Sequence, residues 1–376
     1  MGDARAMTQT TTPATSTAPA PAAHLGGAAP PPSSPERLEA HEPGTQGRGV
    51  HGRGPHHLGA EHLEAHRREL TGYCYRLLGS AVDAEDAVQL TMLRAWRALE
   101  RFDGRSSLRT WLYRIATNVC FDELAGAKRR AMPVDLSPAP SEPVASSLGA
   151  PLEDSVWLTP APDARVLPEG DPADVAVARE SVRLALVAAL QHLPPRQRAV
   201  LLLREVLRWP AEEVADLLGS TTASVNSALQ RARATLAAKE PRPGSPLDAL
   251  DAEHAALLRG YVAAFEAYDM DALARLLHAE VVQSMPPFAL WLRGVDDVVA
   301  WHVGPGAGCR GSRVLPVAAN GSPALAQYKP SPDEPGVLRF WALHVLRAAE
   351  GRVVEITNFV DPRLPALFGL PDRLEA

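Results

Sequence analysis

The sequence predicts a multidomain chain, with two separate all-α units followed by an α+β unit. Three observations carry this. Residues 61–130 and 179–239 show helical apolar spacing with no strand-like alternation. Pro-rich stretches separate the units. After residue 250, helical stretches (251–268 and 270–278) give way to alternating runs joined by turn dipeptides. With 376 residues the chain is long enough for two or three cores.

Residues 1–60 are Pro, Ala, Thr, Ser, Gly and His with almost no large apolar side chain, so they are expected to stay disordered. Within them HGRGPHH (51–57) reads either as a metal-binding tract or as a solvated tail. Residues 131–178 form an acidic Pro/Ala-rich linker, and PRPGSP (241–246) breaks the chain within a second linker, 240–250. The third unit runs over 251–376. Its strands are SRVLPVAAN, ALAQYK, VLRFWALHVLR and RVVEITNFV, with ANGS and AAEG as hairpin turns.

The formal net charge of −6 conceals unlike segments. Residues 61–130 hold 12 Lys/Arg against 10 Asp/Glu, and 182–239 hold 8 against 4. Residues 131–181 hold 2 against 9, and 246–376 hold 11 against 16. Two mildly basic units are thus masked by acidic neighbours. Three distant cysteines, Cys74, Cys120 and Cys309, exclude a disulfide framework and a Cys-rich zinc site, so no metal or cofactor is expected and a reducing cytoplasm fits best. No apolar run is long enough for a membrane span, and the N-terminus lacks the apolar core of a signal peptide.

In VDAEDAVQLTMLRAWRALERF (82–102), Asp83 is the expected N-cap. Val88, Met92, Ala95, Trp96 and Leu99 gather on one side as the core stripe. Asp86, Gln89, Leu90, Leu93 and Arg97 lie opposite, forming either a partner-binding face or a second buried face. The next helix, 110–124, follows a small basic loop, Gly104 to Arg109. Trp111, Leu112, Ile115, Ala116 and Val119 make its apolar stripe; Tyr113, Arg114, Thr117 and Phe121 point away, with Asn118 on the boundary. Rings beside guanidinium and amide groups suit single-stranded nucleic acid, because bases stack on rings while Arg neutralises phosphate. Packing on both sides, with Tyr113 and Phe121 in the core, is the alternative.

DAEDAVQLTMLRAW followed by GRSSLRTWLYRIATNVCFDELAGAKRR closely resembles region 2 of the extracytoplasmic-function (ECF) sigma factors of bacterial RNA polymerase. The resemblance implies that Asp86, Gln89, Leu90, Leu93 and Arg97 dock on the β′ clamp helices. It also implies that the loop and helix read and melt the promoter −10 element. The residues carrying that role are Arg105, Ser106, Ser107, Arg109, Arg114, Thr117 and Asn118, with a base captured in the loop.

LPPRQRAVLLLREVLRWPAEEVADLLGSTTASVNSALQRARATL (193–236) has helix-turn-helix logic of its own. Pro210 opens a short helix with Glu212 and Glu213 in its first turn, and Gly219 closes it. Ser220 or Thr221 caps a longer helix in which Val225, Leu229, Ala232 and Leu236 face inward. Thr222, Ser224, Asn226, Ser227, Gln230, Arg231 and Arg233 occupy the cap and outer face, where a recognition helix meets base edges and phosphates. The segment resembles sigma region 4, which reads the −35 element, and the β flap is the polymerase partner this implies. Many relatives carry other residues at Asn226 and Gln230; Asn and Gln bond adenine in a bidentate manner, so an unusual −35 preference is expected. Arg196, Arg198, Arg231 and Arg233 are assigned to phosphates.

The third unit resembles a SnoaL-like domain, a cone-shaped α+β barrel with a pocket. Trp291, Trp301, His302, Trp341, His344, Asn358 and Asp361 are the pocket candidates. Acid–base chemistry, ligand sensing and regulatory packing are the three roles such a unit could take. The resemblances together imply a non-enzymatic sigma factor with a fused regulatory domain, whose partners are core polymerase, promoter DNA and either an anti-sigma protein or a small ligand. A helix-turn-helix regulator acting without polymerase and a cyclase-like enzyme with DNA-binding appendages are the rivals.

Overall fold

The computed structural model describes residues 59–127, 129–238, 245–247 and 251–375. The tail expectation up to residue 58, including HGRGPHH, and most of the 240–250 breaker lie outside the described residues.

Helices α1 (Ala60–Glu64), α2 (Arg67–Leu78), α3 (Ala81–Ala98) and α4 (Leu108–Leu124) form the first bundle. Ser80, not Asp83, caps α3: its side chain accepts from Asp83 N at 3.2 Å. Asp83 instead sits in the first turn, where a carboxylate suits the helix dipole, and it pairs with Arg130. Ser107 caps α4 through Thr110 N at 3.0 Å. Leu70, Tyr73, Leu77, Leu112, Tyr113 and Val119 are buried between the helices.

The Pro-rich segment after residue 130 is laid down on its neighbours rather than strung between them. Met132, Trp157, Leu158, Ala161 and Val166 are buried, and the segment carries α5 (Asp163–Val166) and α6 (Pro172–Val182). Proline restricts the unfolded chain, so an extended Pro-rich strap loses less entropy on ordering than its lack of regular structure suggests.

The second bundle holds α7 (Leu184–Leu190), α8 (Pro195–Leu201, continued by a π-helical turn over Leu202–Val206), α9 (Ala211–Leu217) and α10 (Thr222–Ala237). Thr221 caps α10, its hydroxyl accepting from Ser224 N at 3.2 Å, and Gly219 takes the left-handed conformation that ends α9.

In the third unit, α11 (Ala252–Ala267), α12 (Met270–Leu276) and α13 (Val295–Val303) pack on one mixed sheet. Its strands are β1 (Ser245–Pro246), β2 (Leu277–Ser284), β3 (Trp291–Arg293), β4 (Arg313–Ala319), β5 (Ser322–Pro330), β6 (Val337–Ala349), β7 (Arg352–Phe359) and β8 (Arg373–Glu375). The order is β3-β2-β7-β6-β5-β4, with β2 and β7 parallel and the other neighbours antiparallel. Strand β2 begins where helix was expected to run on to residue 278. The turns ANGS and AAEG place Asn320-Gly321 and Glu350-Gly351 at positive φ, as two-residue hairpin loops require. A short helix α14 (Leu364–Phe368) follows β7.

The sheet has two buried faces. Leu325, Leu346, Val353 and Ile356 pack with Leu257, Tyr261, Phe265 and Trp301 inside the unit. The alternate positions, Ala324, Ala326, Leu343, Val345 and Phe359, belong to the same apolar cluster as the cores of the two helical bundles. The third unit therefore shares a core with the rest of the chain. At about 1.5–3 kcal/mol per buried large aliphatic side chain, separating the two would be costly.

Candidate nucleic-acid interface

On α3 the outward arc is solvent-facing as expected: Asp86, Gln89, Leu93 and Arg97 are exposed and Leu90 is half-buried. Trp96 belongs to this arc and not to the core stripe, being 55% exposed beside Leu93 at 47%. The spacing 86, 89, 93, 96 drifts around the helix in steps of three and four, which carries Trp96 out of the bundle while Ala95 takes the buried position. An indole, an isobutyl group and a guanidinium left in water on one helix face form an unpartnered patch with the composition of an interface centre.

The loop before α4 presents Arg105 and Ser107 to solvent and half-buries Ser106 and Arg109, and Asn118 is exposed farther along the helix. Thr117 corrects the outer-face expectation: it is 1% exposed, with its hydroxyl donating to Tyr113 O at 2.7 Å and lying 2.9 Å from Tyr73 Oη. Tyr113 is wholly buried, stacked at a tilt on Tyr73 and on Trp209 with centroids 4.9 and 5.0 Å apart. Both were misplaced because α4 is covered on two sides, by α2 and by the second bundle. This is the doubly packed alternative for that pair, while Asn118 keeps its exposed place.

The cover over α4 comes from α9 and the turn before it. Thr110 Oγ1 donates to Glu213 Oε1 at 2.6 Å, and Arg114 reaches Asp216 O at 3.5 Å. Arg109 bonds Glu69 at 2.8 Å and lies over the rings of Tyr113 and Trp209. A groove lined by Arg105, Ser107 and Arg114 on one wall has Glu212, Glu213 and Asp216 on the other. The groove therefore sets arginine and serine against carboxylates.

On α10, Thr222, Ser224, Asn226, Ser227, Gln230, Arg231 and Arg233 are all exposed, while Val225, Ala228, Leu229 and Ala232 are buried. Arg233 pairs with Glu205. Arg196 is exposed and bonds Leu218 O at 3.0 Å. Arg198 is not available to phosphate: it is buried and donates to Leu77 O, to Gln191 Oε1 at 2.7 Å and to Leu193 O at 3.1 Å. It fastens the second bundle to α2.

Inside the third unit, Trp301, His302, His344 and Asn358 are buried on the side facing its helices. His344 Nε2 lies 2.9 Å from Gln327 Oε1, whose amide donates to Ser312 at 2.9 Å, and His302 Nε2 lies 3.2 Å from Gln283 Oε1. Trp291 is buried too. Trp341 and Asp361 lie apart from this group: Lys329 sits over the Trp341 ring at 3.2 Å, and Asp361 is bound by Arg363 at 2.7 Å. The His344–Asp361 acid–base pair is therefore not assembled.

Burial holds His302 down at about 4, and burial together with neighbouring His302 holds His344 at about 3. Both rings are neutral at pH 7 and are weak bases there. Their folded pKa values lie below the unfolded value near 6.5, so the unfolded chain binds more protons as pH falls. Stability should thus be lost as pH falls from 6.5 to about 4 for His302 and about 3 for His344, by about 2 kcal/mol per histidine at pH 5. Thermal unfolding followed from pH 7 to 5 checks this; a stability unchanged by His302→Gln/His344→Gln at pH 5 relative to pH 7 would contradict it.

Family models match in the same order as these units: sigma-70 region 2 over 62–130, sigma-70 region 4 over 183–236 and a SnoaL-like domain over 258–356. The ECF RNA polymerase sigma factor SigG of Mycobacterium tuberculosis (strain CDC 1551 / Oshkosh) is 48% identical over 312 residues, covering 82% of this chain and 83% of that protein. The chain belongs to the ECF sigma factors of RNA polymerase. Sigma factor SigJ of M. tuberculosis (strain ATCC 25618 / H37Rv) is 30% identical over 64% of this chain and 70% of its own length. The crystal structure of M. tuberculosis SigJ shares the fold, with a TM-score of 0.53 at 23% identity over 83% of this chain and 100% of that one.

In this sigma factor the groove described above separates region 2 from region 4, and the SnoaL-like unit lies against both. Asn320, in the ANGS turn, joins them. Its Nδ2 donates to Tyr75 Oη of region 2 and to Val182 O beside region 4, both at 2.7 Å. Its Oδ1 accepts from Ala161 N of the strap at 3.0 Å, and its own N–H returns a bond to Ala161 O at 3.0 Å. The residue is 1% exposed. Asn-Gly between two strands signals the hairpin turn, and nothing local in the sequence signals the long-range bonds. Trp209, Glu213 and Asp216 were likewise legible as helix-turn-helix framework and not as a cover.

Proposed function

We propose that this sigma factor directs core RNA polymerase to promoters and that the described arrangement is its closed form, held by the SnoaL-like domain and the 131–178 strap. The relatives' names support RNA polymerase as the partner, which sets the site of action in the cytoplasm; among the described residues no helix is long and apolar enough to cross a membrane. The exposed patch of Asp86, Gln89, Leu93, Trp96 and Arg97 with Leu90 suits the β′ clamp helices. Arg105, Ser106, Ser107, Arg109, Arg114 and Asn118 suit the −10 element, and the outer face of α10 suits the −35 element. No covalent chemistry is assigned to the SnoaL-like domain; its role in this reading is regulatory packing.

The observation that carries the closed form is the contact between the two readers, Thr110 of region 2 on Glu213 of region 4 at 2.6 Å. The −10 and −35 elements lie about 25 base pairs apart by their names, or roughly 80 Å of duplex at about 34–36 Å per turn. A bundle the size of region 4 is roughly 25 Å across, so α10 stays far closer to α4 than the promoter demands. Both elements can be read by one molecule only after region 4 leaves region 2.

Run-off transcription from genomic fragments with core polymerase tests both parts. Truncation at residue 246 is a poor probe, since it would strip the shared core; Glu213→Lys instead removes the acceptor of Thr110 and sets like charge in the groove lined by Arg105 and Arg114. Wild-type protein should give discrete start sites, and the variant should raise output severalfold at limiting sigma factor from the same sites. No transcript from the wild-type holoenzyme would overturn the promoter reading; equal output from the two proteins would overturn the closed form.

A further inference from the structure

A cleft of about 450 Å³ opens between α2, α6 and the turn after the π-helical segment, with Arg76, Arg109 and Arg208 among its lining residues. Arg76 is 5% exposed, and its guanidinium donates only to neutral groups. Nε and Nη2 reach Ser181 Oγ at 3.0 and 2.7 Å, and Nη2 reaches Ala178 O at 3.3 Å. Among the described residues no carboxylate pairs with it. Burial pushes it down to about 10, so it is still charged at pH 7. A buried charge without a counter-charge is costly to keep. Its Nη1 takes no hydrogen bond and is not sealed from solvent. That nitrogen lies beside the cleft wall: a Cβ on Gly72 would meet Nη1 at 2.9 Å and Val166 O at 2.5 Å, and Val166 lines the cleft. Arg198, also buried without a carboxylate, differs, because both its Nη atoms are spent on carbonyl oxygens. Arg109 is committed to Glu69 at 2.8 Å, whereas Arg208 and Asp174 are exposed and form no ion pair among the described residues. The uncommitted charge in the cleft is thus two guanidinium groups against one carboxylate. Much of the remaining wall is apolar, with Val177 left 41% exposed beside Val206 and Leu207.

We infer that this cleft binds a small organic carboxylate, its charged end on Arg76 Nη1 and Arg208 and its apolar body on Val177, Val206 and Leu207. One excess positive charge matches a monoanion, and Asp174 would oppose a phosphate dianion. The volume and mixed lining are those of an ordinary small-molecule site. Arg76 belongs to region 2 and Arg208 to region 4, so a guest held by both would brace the closed form and act as a negative effector. This second step rests on the closed-form reading above, whereas the site does not.

The test uses the full chain, 15N-labelled at arginine, with 2-naphthoate as probe, its neutral amide 2-naphthamide as control and 2-naphthyl phosphate as the dianion. 2-Naphthoate should shift the Arg76 Nε–H resonance, identified by its loss in Arg76→Lys. It should bind roughly tenfold or more tightly than the amide, the worth of one charge-assisted hydrogen bond. Arg208→Gln should weaken 2-naphthoate by a similar factor while leaving the amide and the melting temperature unchanged. Asp174→Asn, which removes the opposing carboxylate, should tighten 2-naphthoate severalfold. If Arg76→Lys does not fold, the acid–amide split and these two exposed-site variants decide alone. An Arg76 resonance unmoved by millimolar 2-naphthoate, equal affinity for acid and amide, tighter binding of the phosphate, or unchanged affinity in Arg208→Gln would each overturn the site. Run-off transcription at limiting sigma factor with saturating 2-naphthoate then addresses the coupling separately. Reduced output that Arg208→Gln relieves supports it; unchanged output with the resonance shifted overturns the coupling while the site stands.

Discussion

Replacing Asn320 with alanine is expected to release the closed form. The substitution removes three side-chain hydrogen bonds at 2.7–3.0 Å and leaves Ala161 N–H, Val182 O and Tyr75 Oη without those partners in a buried place. Unmet buried groups cost about 1–3 kcal/mol each. The residue also sits at φ 55°, which asparagine tolerates better than alanine by about 1 kcal/mol. The tie should weaken by about 3–5 kcal/mol in all, allowing for partial rearrangement. Two signs then separate. Thermal stability falls, whereas promoter output at limiting sigma factor rises, because region 4 is freed from region 2. Asn320→Gly restores backbone ease while removing the same bonds, so it should raise output with a smaller loss of stability. A loss of stability with no gain in output from either variant would show that the tie is structural only.

The second large effect is expected at the exposed end of α3. Trp96→Ala removes a ring that is 55% exposed and touches little of the protein's own core, so folding stability should change by less than about 1 kcal/mol. If the ring is an interface anchor, truncation costs about 2 kcal/mol or more of binding, roughly a 30-fold loss of affinity for core polymerase. Leu93→Ala should follow in the same direction with a smaller loss. Titration of labelled sigma factor with core polymerase, beside a melting curve of each variant, separates binding from folding. Unchanged polymerase affinity for Trp96→Ala would remove this face from the interface.

What the sequence made legible was local. The cap at Ser220 or Thr221, the Pro210 and Gly219 punctuation, and the Asn-Gly and Glu-Gly hairpin turns each act through their own backbone neighbourhood. The family resemblance rested on residues of the same kind, a contiguous helix–loop–helix stretch. Periodicity failed where a helix is covered by a distant segment. Thr117 and Tyr113 lie opposite the main apolar stripe of α4, and only the packing of Tyr73 from α2 on both and of Trp209 on Tyr113 makes that second face a core. Trp96 shows the converse error, since a large apolar ring was assigned inward although its neighbour Ala95 fills the buried position. Arg198 has no local mark to distinguish it from a phosphate-binding arginine; its carbonyl partners, Leu77 and Leu193, are set by tertiary packing. The Pro-rich strap was read as a spacer because composition reports the absence of regular structure, and it does not report whether a groove awaits the chain.

The separation of regions 2 and 4 is the most direct test. Spin labels at Glu123→Cys on α4 and Ala234→Cys on α10, both exposed, in a Cys309→Ser background, report it by double electron–electron resonance. The free protein should give one short distance, and addition of core polymerase and promoter DNA should move it outward by tens of ångströms toward the roughly 80 Å spacing of the two elements. A distance that stays short in a complex already producing a start-site-specific transcript would contradict the closed form.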